Sequence, residues 1–156
     1  MQKVASFFKV SKEQYGRDGY EDIKLPKRAT SGSAGYDFFA PYDFCLKAGG
    51  EIIIDTGIRA KIDDGWLLMI LPRSGSGFKY GVRLANTAGV IDSDYFNADN
   101  EGHIKIKLTG ANSDYEVKKG SAFAQGIFIP YGITYGDECA GERRGGFGST
   151  DGKNKE

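Results

Sequence analysis

Alternation is the strongest pattern in the chain. His103-Ile104-Lys105-Ile106-Lys107-Leu108 alternates polar and apolar residues, which sets Ile104, Ile106 and Leu108 on one face of a half-buried strand. Two apolar, β-branched runs, Glu51 to Lys61 and Trp66 to Leu71, are split by Asp63-Asp64-Gly65, a turn sequence that predicts a hairpin. Ala122 to Pro130 forms another apolar run, opened by Lys119-Gly120. Nearer the start, the pattern predicts a strand near Phe7 to Val10, a short helical turn over Ser11 to Tyr15, and irregular chain to Pro26. No window sustains the i, i+3, i+4, i+7 spacing of a substantial helix. The expectation is one all-β domain over residues 1–140, a barrel or a distorted jelly roll.

Residues 141–156 break the pattern. Gly141-Glu142-Arg143-Arg144-Gly145-Gly146-Phe147-Gly148-Ser149-Thr150 holds a lone aromatic among glycines and arginines and cannot form a core strand. One reading is a disordered tail. The other is a flexible arm that closes over a flat anionic ligand: glycine permits movement, Phe147 offers a stacking face, and Arg, Ser and Thr donate to phosphate.

Composition supports the strand reading. The chain has 23 glycines in 156 residues, roughly twice the ordinary usage of about 7%, and these sit beside ten Phe and nine Tyr. Short strands and tight turns use that mixture. Charge narrows the function. Lys plus Arg and Asp plus Glu each number 21, a zero net charge that disfavours a nucleic-acid binder or an anionic-membrane binder. The apolar runs are far shorter than a membrane span, and the N-terminus lacks an apolar leader core, so a cytoplasmic location is expected. Cys45 and Cys139 stand far apart and are read as idle or buried thiols.

Several chemistries drop out. The single histidine, His103, gives a Ser-His-Asp or Cys-His engine little support, and with two distant cysteines it cannot build an ordinary zinc site. There is no P-loop. Gly75-Ser76-Gly77-Phe78-Lys79-Tyr80-Gly81 comes near a dinucleotide fingerprint, but its last spacing is one residue too long and no helix is expected after it. Three polar constellations remain. Pro72-Arg73-Ser74-Gly75 is either an anion nest at a strand end or a plain turn with an exposed arginine. In Gly89-Val90-Ile91-Asp92-Ser93-Asp94-Tyr95, Asp92 suits a half-desolvated carboxylate that deprotonates a water, against turn aspartates beside a surface tyrosine. In Ala34-Gly35-Tyr36-Asp37, the aspartate is either an outer-sphere magnesium partner or part of a turn before Phe38-Phe39.

Together these segments carry a resemblance. In order and spacing the chain resembles the homotrimeric deoxyuridine triphosphate nucleotidohydrolases (dUTPases), which have five motifs. The motifs are Ala34-Gly35-Tyr36-Asp37, Pro72-Arg73-Ser74-Gly75, Gly89 through Tyr95, Gly120 through Ala124-Gln125, and Gly145-Gly146-Phe147-Gly148-Ser149-Thr150. Lys24-Leu25-Pro26-Lys27-Arg28-Ala29-Thr30 and Phe78 through Asn86 look most like the Gram-positive bacterial and phage versions. The resemblance implies hydrolysis of dUTP to dUMP and pyrophosphate with Mg2+, which keeps uracil out of DNA and supplies dUMP for dTMP synthesis. It also implies a homotrimer with shared active sites. Asp92 would activate the water that attacks the α-phosphorus in line. Asp37 would hold waters of the magnesium ion. Arg73, Ser74, Gly75 and Gln125 would grip the phosphates, and Asn86 would support water around the base. Tyr95 would pack on the deoxyribose, with Val90 and Ile91 beside it among the substrate-binding residues. The hairpin leading into His103, Ile104 and Lys105 would read uracil through backbone groups. Phe147 would stack on the base, with Gly148, Ser149, Thr150 and Arg143, or alternatively Arg144, closing on the γ-phosphate. Two departures stand out: Phe96 to Glu101 intervenes before the hairpin, and Glu142 occupies the usual arginine position. The related dCTP deaminases keep a catalytic glutamate in the strand that here runs Ile104 to Leu108 without one.

Overall fold

The computed structural model describes residues 1–139 and Gly141. Twelve strands run in chain order: β1 (Ala5–Lys9), β2 (Lys27–Arg28), β3 (Tyr36–Phe39), β4 (Phe44–Leu46), β5 (Glu51–Asp55), β6 (Ile58–Ile62), β7 (Trp66–Pro72), β8 (Arg83–Leu84), β9 (Gly89–Ile91), β10 (Lys105–Thr109), β11 (Tyr115–Val117) and β12 (Ala122–Pro130). Two short helices, α1 (Lys12–Tyr15) and α2 (Ser74–Tyr80), interrupt them. The fold is all-β and jelly-roll-like, as expected.

Alternation does what it predicts in β10, where Ile106 and Leu108 are buried and the lysines between them are exposed. They join Ile54, Leu68, Ile70, Phe38 and Phe123 in the main core, where packing supplies most of the stabilisation. The largest sheet has the order β2-β3-β12-β7-β9, and a second is ordered β5-β10-β8. Two further pairs, β1-β6 and β11-β4, complete the fold.

The structure corrects three expectations. The Asp63–Gly65 turn forms, with the Trp66 amide donating to the Asp63 carbonyl at 3.2 Å, yet it joins no hairpin. β6 pairs with β1, while β7 pairs with β12 and β9, so the turn is a corner between sheets. The run Glu51 to Lys61 likewise breaks at Thr56-Gly57, where Gly57 takes φ +71°, and its halves serve different sheets. The expected turn after Pro72 is instead the helix α2. Extended Arg73 caps its start, the Ser76 hydroxyl donates to the Arg73 carbonyl at 2.9 Å, and left-handed Gly81 closes it. Glycines at 75 and 77 lower helix propensity, and these caps with tertiary packing override them.

Candidate active site

Three of the motifs meet at one corner of the large sheet. β12 lies between β3 and β7, and its register sets Gln125 opposite Asp37 and Ala124 opposite Pro72. Residues directly opposite in an antiparallel pair share a face, so Asp37 and Gln125 project together. Arg73 follows Pro72 at once, and its Nε lies 3.2 Å from Asp37 Oδ1. Its Nη1 donates to the Ala122 carbonyl at 3.3 Å. Gln125 Nε2 donates to the Pro72 carbonyl at 3.0 Å. A methyl at position 35 would lie 2.6 Å from Gln125 Oε1, so a side chain there would displace the Gln125 amide from the place it holds beneath the motif Ala34–Asp37. Exposed Ser74 and Gly75 form the first turn of α2, where backbone amides lack intrahelical acceptors. The corner thus offers a guanidinium, an amide, a hydroxyl and free N–H groups to phosphate oxygens, with one carboxylate beside them.

The third motif lies elsewhere. β9 runs antiparallel along β7 with Gly89 opposite Ile70 and Ile91 opposite Leu68. Asp92, exposed and extended, therefore falls level with Leu67, six residues along β7 from Arg73. At about 3.3 Å per residue the two stand about 20 Å apart. One chain therefore holds Asp92 and Arg73 well apart. Tyr95 follows in a 3₁₀ turn, Ser93–Asn97, and only 3% of it is exposed, which removes the surface-tyrosine reading. Its hydroxyl donates to the His103 carbonyl at 2.9 Å and accepts from Asn100 Nδ2 at 2.8 Å.

Asn86, in the β8–β9 connection, lines a cavity of about 410 Å³ with Ile91, Lys105, Ile53, Ile70 and Leu84. Val90 points outward and is half exposed. His103 and Ile104 differ from a free hairpin edge, because both side chains are buried and their backbone groups already have partners. The His103 amide donates to the Asn100 carbonyl, and its own carbonyl takes the Tyr95 hydroxyl. The Ile104 amide donates to Ile58, and its carbonyl accepts the Thr56 hydroxyl at 2.6 Å. Lys105 is exposed and pairs with Asp55 at 3.1 Å. Arg143, Phe147, Gly148, Ser149 and Thr150 lie outside the described residues. Asn100 was legible only as part of the Phe96–Glu101 insertion, although it lies five residues after Tyr95 and contacts its hydroxyl.

His103 Nε2 accepts the Gly57 amide at 2.9 Å, which requires a neutral ring. Burial pushes its pKa down from 6.5 to about 4. The unfolded chain therefore binds the proton more readily, and stability falls as pH drops from 6.5 towards 4. The loss should reach about 3 kcal/mol at the low end. His103→Gln, whose amide oxygen can still accept from Gly57, should flatten the Tm-against-pH curve over that window. A parallel decline in both proteins would assign the acid sensitivity to other groups.

An all-β scaffold with a polar corner of Asp37, Arg73 and Gln125, and with Asp92 and Tyr95 held apart from it, has the donors a nucleotide-processing protein would use. Comparison with known proteins makes the class specific. The dUTPase family model matches residues 21–150. The deoxyuridine 5'-triphosphate nucleotidohydrolase of Lactococcus lactis is 40% identical over 132 residues, covering 82% of this chain and 88% of that protein. The enzyme of the same name from Paramecium bursaria Chlorella virus 1 is 37% identical over 138 residues, covering 83% and 92%. The crystal structure of dUTPase from Streptococcus mutans superposes with a TM-score of 0.67 at 31% identity, covering 83% of this chain and 98% of that one. The chain belongs to the dUTPase family. No helix among the described residues is long and apolar enough to cross a membrane.

Proposed function

We propose that this chain hydrolyses dUTP to dUMP and pyrophosphate at sites that several copies of it, a homotrimer, build together. The separation of Asp92 from the Asp37–Arg73–Gln125 corner carries this reading. The chemistry needs a base and a phosphate clamp on one nucleotide, and about 20 Å of strand lies between them in a single chain. A second copy must therefore bring its own half-site alongside.

In the assembled site Asp92 orients a water and takes its proton as the water oxygen bonds to the α-phosphorus. The bond to the bridging oxygen breaks, and pyrophosphate leaves. Arg73, the Ser74 hydroxyl, the Gly75 amide and Gln125 hold the phosphate chain in line for the attack. Tyr95 presents its ring to the deoxyribose and leaves no space for a 2′-hydroxyl. Asn86, Val90, Ile91 and Lys105 stand beside the nucleoside. Arg143, or Arg144, with Phe147, Gly148, Ser149 and Thr150 closes the site and excludes water.

The chain's own donors fit a hard divalent cation only as outer partners. Among the described residues no three His, Cys, Asp or Glu gather into a metal cluster. Asp37 is a half-buried oxygen donor next to the phosphate grip, suited to holding waters of a Mg2+ ion chelated by the triphosphate. When bound, the ion neutralises phosphate charge. The reading places the reaction in the cytoplasm, where dUTP competes with dTTP for incorporation into DNA.

The shared-site reading has a direct test. Arg73→Ala and Asp92→Asn chains, each inactive alone, are unfolded together, refolded at equal amounts and assayed for pyrophosphate release from dUTP. Random association should restore about a quarter of the wild-type sites, because each site needs one intact half from each of two chains. No recovery would mean that each chain carries a complete site. UTP, dCTP and dTTP serve as controls, and deamination of dCTP would move the chain to the sister chemistry.

A further inference from the structure

The N-terminal segment lies before residue 21, where the family match begins, yet it reaches the loop that carries the sugar gate. Ser11 caps α1, and its hydroxyl accepts from the Gln14 amide at 3.1 Å. The same hydroxyl donates to Glu101 Oε1 at 2.6 Å, and the Ser11 amide donates to Glu101 Oε2 at 2.7 Å. Both oxygens of one carboxylate are thus spent on one residue, 90 positions away. These contacts hold the Glu101 carboxyl below its ordinary range, with the Arg59 guanidinium adding to the effect.

Glu101 closes the Phe96–Glu101 stretch that follows Tyr95. It takes φ +58°, a conformation that costs a side-chain-bearing residue and suits glycine better. A glutamate there therefore needs a compensating contact, and the Ser11 pair supplies it. On one side of Glu101, Asn100 donates to the Tyr95 hydroxyl. On the other, the Gly102 amide donates to Asn100 Oδ1 at 3.2 Å, and a methyl on Gly102 would lie 2.6 Å from the Tyr95 carbonyl oxygen. His103 then accepts the Tyr95 hydroxyl. Every neighbour of Glu101 in the chain therefore bears on Tyr95.

The other end of the loop is held from the same quarter. Arg59 of β6 donates to the Phe96 carbonyl at 2.6 Å, and its guanidinium carbon stands 3.6 Å from the centre of the Phe96 ring. Phe8 of β1 meets that ring edge-on at 5.8 Å, and β1 is the ladder partner of β6. β1 and α1 therefore fasten both ends of the six-residue loop.

We propose that the Ser11–Glu101 clasp is a positioning device that sets Tyr95 against the deoxyribose, so that Ser11 and Glu101, which touch no substrate, govern the choice of dUTP over UTP. The proposal rests on the reading of Tyr95 as the sugar gate. The clasp acts on binding geometry and leaves the base and the phosphate grip in place.

The test compares wild-type protein with Ser11→Ala, Ser11→Thr, Glu101→Gln and the Ser11→Ala/Glu101→Gln double variant. The readouts are kcat and KM for dUTP and UTP, and amide hydrogen exchange over residues 95–104. Loss of a charge-assisted pair should narrow the dUTP-to-UTP preference by about tenfold, mainly through a higher KM for dUTP, with kcat within about twofold. Exchange over 95–104 should quicken, the double variant should match the single ones, and Ser11→Thr should stay near wild type because it keeps both cap and donor. Tyr95→Ala isolates the gate itself. If Tyr95→Ala leaves the preference unchanged, the gate reading fails, and the exchange data alone decide whether the clasp holds the loop. If Tyr95→Ala narrows the preference and Ser11→Ala does not, or if exchange in Ser11→Ala is unaltered, the clasp is overturned.

Discussion

Asp92→Asn should lower kcat for dUTP about a thousandfold while dUTP affinity stays within a few-fold of wild type, because a positioned general base contributes roughly 10²–10⁴. The substitution keeps the shape of the side chain and removes the proton acceptor. Asp92 is exposed and extended at the entry to the Ser93–Asn97 turn, so Asn, itself a good residue before a helical turn, should leave the fold intact. Single-turnover kinetics and equilibrium titration with dUTP would separate the two effects. A variant that turns over within about tenfold of wild type would relieve Asp92 of the base role.

Arg73→Ala should lower kcat/KM for dUTP by about 10²- to 10³-fold, since in the proposed role the guanidinium would make charge-assisted bonds to phosphate worth roughly 1.5–3 kcal/mol each. Part of the loss is indirect. Asp37 sits 3.2 Å from Arg73, and without the arginine its carboxylate faces the triphosphate unopposed. Asp37→Asn in the Arg73→Ala background should therefore cost less than in wild type. Arg73→Lys should recover only a fraction, because a point charge cannot grip two oxygens in a fixed plane. An Arg73→Ala enzyme with wild-type kinetics would remove the arginine from the site.

Strands that bury one face were legible where alternation was clean, as in Lys105–Thr109, or where a run was long and apolar, as in Ala122–Pro130. Which strand pairs with which was not. The Asp63–Gly65 turn looks the same in sequence whether it closes a hairpin or turns a corner, and the presence of β1 beside β6 decided the matter. The helix α2 was hidden by its glycines, since caps and tertiary packing lie outside local propensity. In the candidate site, each motif was readable as a polar cluster. That Asp37, Gln125 and Arg73 share one corner came from register across β3, β12 and β7. His103 broke the alternation unseen. A polar residue in that pattern signals exposure, yet the Gly57 amide gives this one a reason to be inside.

The ion pair between Arg73 and Asp37 also bears on which form of the nucleotide the corner would accept in its proposed role. Each group offsets the charge of the other, so the pair as a unit would attract a stray anion only weakly. A nucleotide that brought its cation would offer phosphate to the guanidinium, and the waters of the ion would suit the carboxylate. A bare nucleotide would take the arginine and leave the carboxylate facing its own oxygens. In the proposed role the pair would favour the metal-loaded form, because free phosphate or uncomplexed nucleotide would leave the carboxylate without a counterpart.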